Sequence, residues 1–498
     1  MSAQLPAIIV VCPLIISFLI FLTGWWSKRA GYPLALVALL ICLISSVGIL
    51  KTVIEQGTIQ YLLGGWQPPW GIEFRIDHLN AIMLVMISVL GLLGAVHAIR
   101  SVERELPGKI ALFWSLFLLL ITGLLGICVT ADLFNLFVLL EVASLSGYAL
   151  IAMGEKGATY ASFRYVIIGT MGASFYLLGV GYLYIATGSL NMADLSQLLP
   201  ELMDSKAILA GFVFILIGLG IKMALFPLHG WLPDAYTNAP SAVSAVVAPL
   251  TTKVMAYVVI RVMFTVFKAE FPVTILQVTD VMVWFGTLAI FFGAVMALSQ
   301  SDFKRMLSYV IIAEIGFIVG GVGVANSTAL QGAIFHIIND AFMMACLFLV
   351  AGLVMHKTNG HRIADFSGIF RTMPWTAFVF TVGALAVIGV PPACGFFSKW
   401  YLLLGAIEAR QWSFVAALLV CTLINVALFF RVFDKGLYVH SHDEGPETAG
   451  APKNPAAVEA PLSMLLPAIV LAVSILLIGI FNQIILTHVI RIAVPVGL

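Results

Sequence analysis

The sequence predicts an all-α polytopic membrane protein with about fourteen transmembrane helices. Three observations predict it. Of 498 residues, 61% are hydrophobic and 10% charged, against about 25% charged in soluble domains, and the mean hydropathy is +1.08. The apolar residues form runs of the roughly 20 residues that a helix needs to cross a bilayer. Charged residues nonetheless recur in or beside those runs, at Glu141, Lys222, Lys253 and Lys399. A charge at mid-bilayer costs about 2.5–3.5 kcal/mol and persists where it faces a protein interior or a wet cavity with work to do.

The runs fall in order near 6–26, 33–50 and 79–99, then 110–128, 131–152, 162–187, 207–225 and 240–266. They continue at 275–298, 306–324, 329–355, 373–404, 411–431 and 463–486. The first run lacks a basic n-region and a small-residue cleavage site, so it reads as a retained helix and not as a signal peptide. The divisions that follow are 1–109 (helices 1–3), 110–266 and 275–431 (five helices each), a polar loop at 432–462, and a last helix in 463–498. An even number of crossings puts both termini on one side. Lys and Arg distribute fifteen to seven between the two sets of loops, and the positive-inside rule then places both termini outside the cell's plasma membrane. The polar stretch holds Asp434, Asp443, Glu444 and Glu447 and the pair His440 and His442. In a mobile acidic loop such a pair reads as solvated and not as a metal site. The loop joins the last two helices or touches a neighbouring subunit.

A net charge of +1 offers nothing to nucleic acid. Cys12, Cys42, Cys128, Cys346, Cys394 and Cys421 lie singly in apolar segments, without the spacing of a disulfide framework or an Fe–S site. No dinucleotide fingerprint or P-loop is present. No cofactor and no metal are expected.

The middle of the chain repeats itself weakly. A slide of 169 residues lays Gly220–Trp231 on Gly389–Trp400 and Thr159 on Thr328, and brings Asp132 within one residue of Asp302. The slide spans five helices, and an odd number inverts the second copy. Inverted repeats around a midplane site are a common transporter plan.

Five stretches carry chemistry. Pro227 and Pro233 interrupt the run bearing Lys222, Pro249 lies one turn before Lys253, and Pro391 and Pro392 precede Lys399. Proline removes a backbone donor and frees a carbonyl, and broken backbone survives at membrane depth only inside protein or beside water. Three lysines beside proline breaks favour an ion path over lysines reaching for the interface. Glu141 shares a helix face with Ser144. Alone it would take up a proton on burial; paired with Lys222 it stays charged, as a proton switch or as a static tie between helices. His336, Asn339 and Asp340 stand at i, i+3 and i+4, with a titrating imidazole one turn from a carboxylate. Glu314 adds a carboxylate on the preceding helix. Asp132, Arg164, Asp302, Lys304 and Arg305 sit at helix ends and read as loop charges or salt bridges.

At these residues the chain resembles the antiporter-like membrane subunits of Mrp-type cation/proton antiporters, respiratory complex I and membrane-bound hydrogenases. The matching blocks are Asp132–Tyr148, Lys222–Ser241, Pro249–Lys253, the His336 helix and Gly389–Lys399, within a span from about 79 to 431. The resemblance implies a fourteen-helix core, two inverted five-helix repeats with broken helices, and a hetero-oligomeric complex with other membrane subunits. It implies a proton relay in which Glu141 pairs with Lys222, Lys253 links to His336, and Lys399 ends the chain, with Asp340 and Glu314 as further members. Lysine at 399 is similar to the D-type member of the Mrp family, or to its complex I counterparts ending in lysine, more than to the member with glutamate there. One departure is that many relatives carry a second histidine and a lysine after His336, where this chain has Asp340 and Met344; in this it is similar to hydrogenase-type subunits. The implied function is exchange of H⁺ against Na⁺ within a multisubunit antiporter. The alternative is a proton-pumping membrane subunit of an NADH-quinone oxidoreductase or a hydrogenase, with no redox centre on this chain. An independent solute symporter is the third reading.

Overall fold

A computed structural model describes residues 4–27, 30–155, 157–437 and 459–495. Apolar runs in lipid must satisfy their backbone internally, so they fold as helices. Three of them, α1 (Leu5–Thr23), α2 (Gly31–Gln56) and α3 (His78–Glu105), come first. Between α2 and α3 lies a small antiparallel hairpin, β1 (Ile59–Leu62) with β2 (Glu73–Ile76), Ile59 opposite Ile76. The hydropathy pattern gave no sign of it.

The next helices are α4 (Ile110–Val129), α5 (Leu133–Ala152), α6 (Ala158–Thr187), the short α7 (Met192–Leu198), α8 (Lys206–Lys222), α9 (Leu232–Asn238) and α10 (Ser241–Arg261). Then follow α11 (Val278–Leu298), α12 (Phe303–Val324), α13 (Ser327–Thr358), the single turn α14 (Ile369–Thr372), α15 (Pro374–Ile388), α16 (Cys394–Glu408), α17 (Trp412–Leu437) and α18 (Leu462–Ile480). Among the described residues, twelve helices are long and apolar enough to cross a membrane. The broken helices α8–α9 and α15–α16 bring the crossings to fourteen. The run expected as one helix over 373–404 is thus two, because backbone at Gly389–Ala393 leaves the helix. Helix α17 continues to Leu437, beyond the expected loop start at 432, because Val432 and Gly436 are buried on its inner face. Lys28, Arg29, Lys156, His440, His442, Asp443, Glu444, Glu447 and Lys453 lie outside the described residues.

The inverted repeat is written in hydrogen bonds. Leu133 N donates to Leu190 O and Met192 N to Ala131 O; Phe303 N donates to His361 O and Ile363 N to Ser301 O. In each set, the segment leaving the third helix is thereby clipped to the start of the second. Asp132 and Asp302 cap those second helices, each accepting from the backbone N–H three residues on (Asn135, 2.7 Å; Arg305, 2.9 Å). At the breaks the register differs from the slide of 169. Ala224 and Gly389 take left-handed backbone, Leu225 N donates to Gly220 O and Val390 N to Leu385 O, and Pro227 and Pro392 follow cis peptide bonds. These pairs are 165 apart, so Ala224, and not Gly220, is the counterpart of Gly389. The connections before the breaks differ in length, which a single offset cannot follow.

The most enclosed helices are α10, α12 and α13; the spanning windows of the last two are wholly buried inside the protein. The others wrap them. Close approach matters for α8: a Cβ on Gly218 would stand 2.6 Å from Gly172 O of α6, which is how small residues let membrane helices touch. At one end of α3 and α10, Arg104 and Lys304 border a cavity of about 440 Å³. At the other end, Arg75, Arg261 and Lys268 border one of about 590 Å³.

Candidate functional site

Glu141, Ser144 and Tyr148 recur on one face of α5, and Lys222 at the end of α8 reaches all three. Its Nζ lies 3.0 Å from Glu141 Oε1, 2.8 Å from Ser144 Oγ and 3.3 Å from Tyr148 Oη. The ammonium therefore has a partner for each of its three protons. Lys222 is buried and Glu141 half-buried. The break beyond Lys222 is closed by Trp231, whose Nε1 donates to Ile221 O at 2.9 Å and whose indole stacks on Tyr165 at 3.9 Å.

Lys253 of α10 faces α13. Its Nζ lies 2.7 Å from Asp340 Oδ2, and neither side chain has any solvent exposure. Pro249, one turn earlier in α10, has no N–H to give to Ala245 O. The resemblance implies that Lys253 links to His336; the structure sets it against Asp340 instead, one turn along α13. Asp340 is a counter-ion here.

His336 belongs to a third group. Its Nε2 lies 2.6 Å from Glu314 Oε2 of α12 and its Nδ1 2.9 Å from Ser398 Oγ of α16. The other Glu314 oxygen lies 3.4 Å from Lys399 Nζ. Lys399 also donates to Val387 O at 2.5 Å, a carbonyl near the end of α15 where the helix breaks, and stands 4.8 Å from the Phe317 ring centroid. Phe317 meets the His336 imidazole edge-on, so one aromatic ring packs against both basic groups. Glu314 thus touches His336 and Lys399 together.

The buried charges close as three lysine–carboxylate pairs: Glu141–Lys222, Asp340–Lys253 and Glu314–Lys399. Burying one charge without the other would cost several kcal/mol, and the pairing avoids that cost. Asp340 and His336 are on adjacent turns of α13, so the second pair and the third group neighbour each other. Helix α10 packs on both α8 and α13, between the first pair and the rest. Chemically, the set can hold protons on three amines, one imidazole and three carboxylates.

Sequence reasoning missed Tyr148, which its i+7 spacing from Glu141 could have shown, and Ser398, a single hydroxyl with no distinctive spacing. Of the helix-end charges, Arg164 and Arg305 both reach Asp234 of α9, at 2.5 and 3.3 Å, which ties the two repeats. Lys304 differs from the expectation: it is buried, with Nζ 2.6 Å from Ala239 O.

The family model described as NADH:quinone oxidoreductase/Mrp antiporter, transmembrane, matches residues 130–425. The chain is 44% identical to the N subunit of an NADH-quinone oxidoreductase from Desulforudis audaxviator over 99% of both chains. It is 33% identical to the D subunit of the Na(+)/H(+) antiporter from Alkalihalophilus pseudofirmus over 85% of this chain and 86% of that one. Among solved structures, a chain of the membrane-bound sulfane sulfur reductase, an archaeal respiratory membrane complex, superposes with a TM-score of 0.89 at 28% identity, covering 98% of this chain and 96% of that one. A whole-length match in sequence and in fold, on top of the broken helices and the inverted repeat, settles the family: this chain belongs to the NADH:quinone oxidoreductase/Mrp antiporter membrane proteins.

Proposed function

We propose that this chain is the proton-translocating, antiporter-type subunit of a multisubunit Na⁺/H⁺ antiporter, assembled with other membrane subunits. The observation that carries the reading is the set of three lysine–carboxylate pairs on the inner helices. Glu141, Lys222, Lys253, Asp340, His336, Glu314 and Lys399 act in it as proton carriers and counter-ions, with water between groups. An ammonium in apolar surroundings that loses its counter-ion gives up its proton; a carboxylate that swings from one lysine toward another therefore moves a proton without moving a helix far. Residues 1–109 hold the three leading helices, 110–266 and 275–437 the two working halves and 462–498 the closing helix, with a polar connection between the last two. The chain lies in the plasma membrane with both termini outside, on the asymmetry of Lys and Arg.

A second reading, a proton-pumping membrane subunit of an oxidoreductase, is favoured by one observation: the 44% identity to an NADH-quinone oxidoreductase subunit over 99% of the chain. The test is purification of the native complex followed by identification of its subunits and transport in vesicles. Small membrane subunits and Na⁺-dependent proton movement support the antiporter. Co-purifying flavin, Fe–S or Ni–Fe subunits support the second reading and overturn the first.

A further inference from the structure

His97 is a buried titratable group that the pairs above do not use. It lies on α3 with no solvent exposure. Its Nδ1 is 3.0 Å from Met464 O of α18. A carbonyl only accepts, so Nδ1 carries the hydrogen and Nε2 keeps its lone pair. That Nε2 has no hydrogen-bond partner among the described residues. It points at Gly352 of α13, where a Cβ would stand 2.7 Å from Nε2 and 3.6 Å from Ser241 Cβ of α10.

His97 heads a polar ladder. Ser101 and Glu105 follow at i+4 and i+8 on the same face of α3. Ser101 Oγ donates to Glu105 Oε1 at 2.6 Å, and Ser241 N donates to Glu105 Oε2 at 2.9 Å. Glu105 borders the 440 Å³ cavity together with Lys304, His356 and His361. The ladder thus begins in an open, polar cavity and ends at a bare imidazole nitrogen.

From the level of His97, α10 leads onward. Ser241, Ala245, Ala248 and Thr252 share one buried face of α10, and Thr252 Oγ1 has no partner among the described residues. Lys253 is the next residue. Twelve residues separate Ser241 from Lys253, about 18 Å of helix, and the lysine side chain leans back toward the start of the helix. The small side chains on this face leave water as the means of crossing the remainder.

We propose that the Glu105–Ser101–His97 face of α3 is a proton inlet from this cavity to the Lys253–Asp340 pair, with His97 as its carrier. The inference rests on the proton-translocation reading. A proton enters on Glu105, passes through Ser101 or water to Nε2 of His97, and leaves along the α10 face toward Asp340 as the next proton arrives.

The test uses the full complex in inverted membrane vesicles, with proton movement read by a pH-sensitive dye and assembly by native gel. His97→Asn keeps an N–H donor for Met464 O and lacks a nitrogen that takes up a proton. Glu105→Gln keeps an oxygen to accept from Ser241 N and turns an amide N–H toward the Ser101 hydroxyl, which can accept it, but takes up no proton. Each assembled variant is expected to lose at least tenfold in rate. Gly352→Ala, which sets a methyl group against Nε2, is expected to slow transport as well. A wild-type rate in assembled H97N or E105Q overturns the inlet. Glu141→Gln in the same vesicles separates the two ideas. If E141Q is inactive while H97N and E105Q are normal, the inlet alone falls; if all three transport normally, the translocation reading falls with it.

Discussion

Asp340 Oδ2 and Lys253 Nζ, 2.7 Å apart and without solvent exposure, neutralise each other between the two helices α13 and α10. Removing one partner of such a pair leaves the other charge uncompensated and costs about 3–5 kcal/mol. Asp340→Ala and Lys253→Met should each lower the thermal midpoint of the purified complex. The double variant should recover most of the loss, since no charge is then stranded. Strict additivity in the thermal scans would contradict the pairing.

Lys222 has three acceptors, and Glu141 is the only charged one among them. Replacing Glu141 or Lys222 with alanine should abolish proton transport while the complex still assembles. Tyr148→Phe removes one hydrogen bond at 3.3 Å and should cost no more than a few-fold. Full transport in either alanine variant would end the assignment of this pair.

Glu314 bridges His336 and Lys399. Glu314→Gln should therefore be as damaging as Lys399→Ala, a loss of tenfold or more in rate, whereas Ser398→Ala, which only frees His336 Nδ1, should be mild. The ranking is the measurement: a silent E314Q beside an inactive K399A would show that the carboxylate is a bystander.

Gly218 packs on Gly172 O across α6 and α8. Gly218→Val should force α8 away from α6 and cost about 1–3 kcal/mol through overpacking. Less assembled complex on a native gel is the expected readout, and an unchanged yield would contradict the close approach.

Asp77 caps α3 outside the membrane-spanning segments and grips Arg261 through both oxygens, at 2.5 and 2.6 Å. Burial pushes its carboxyl up, but the Arg261 guanidinium and the backbone N–H groups of Leu79 and Asn80 outweigh that and hold it below the usual range. A depressed folded value contributes stability that is fully present above the unfolded carboxylate value of about 3.9 and fades as pH falls below it. Unfolding of the wild type should thus ease below about pH 4, and Asp77→Asn should flatten that acid-side decline. Identical acid profiles would refute the contribution.

Long apolar runs made the helices legible, because period and length alone decide a membrane crossing. The hairpin at β1 and β2 was not, since two strands of four residues are too short to leave a hydropathy signal. The lysines stood out because charge in lipid is conspicuous, and the prolines near Lys222 and Lys399 marked the breaks, whereas the break expected at Pro249 is absent because α10 runs unbroken past it. Their partners were harder to read. Asp340 lies one turn from His336 in sequence, yet which of the two meets Lys253 depends on how α10 rotates against α13. Lys304 looked like a loop charge because it follows Asp302 at a helix start; only the fold of Ala239 over it makes it interior. The offset of the repeat was legible at Thr159 and Thr328 but slipped by four residues at Gly389, where loop lengths diverge.

The enclosure of α12 and α13 on every side has an electrical consequence. The charged groups they carry are buried among other helices, so in the proposed relay the outer helices act as insulation. Changes in lipid thickness or headgroup should then leave proposed proton movement at Glu314, His336 and Asp340 untouched, and leakage should come from a cut through the surrounding helices, at α11, α16 or α17, more than from the membrane around them.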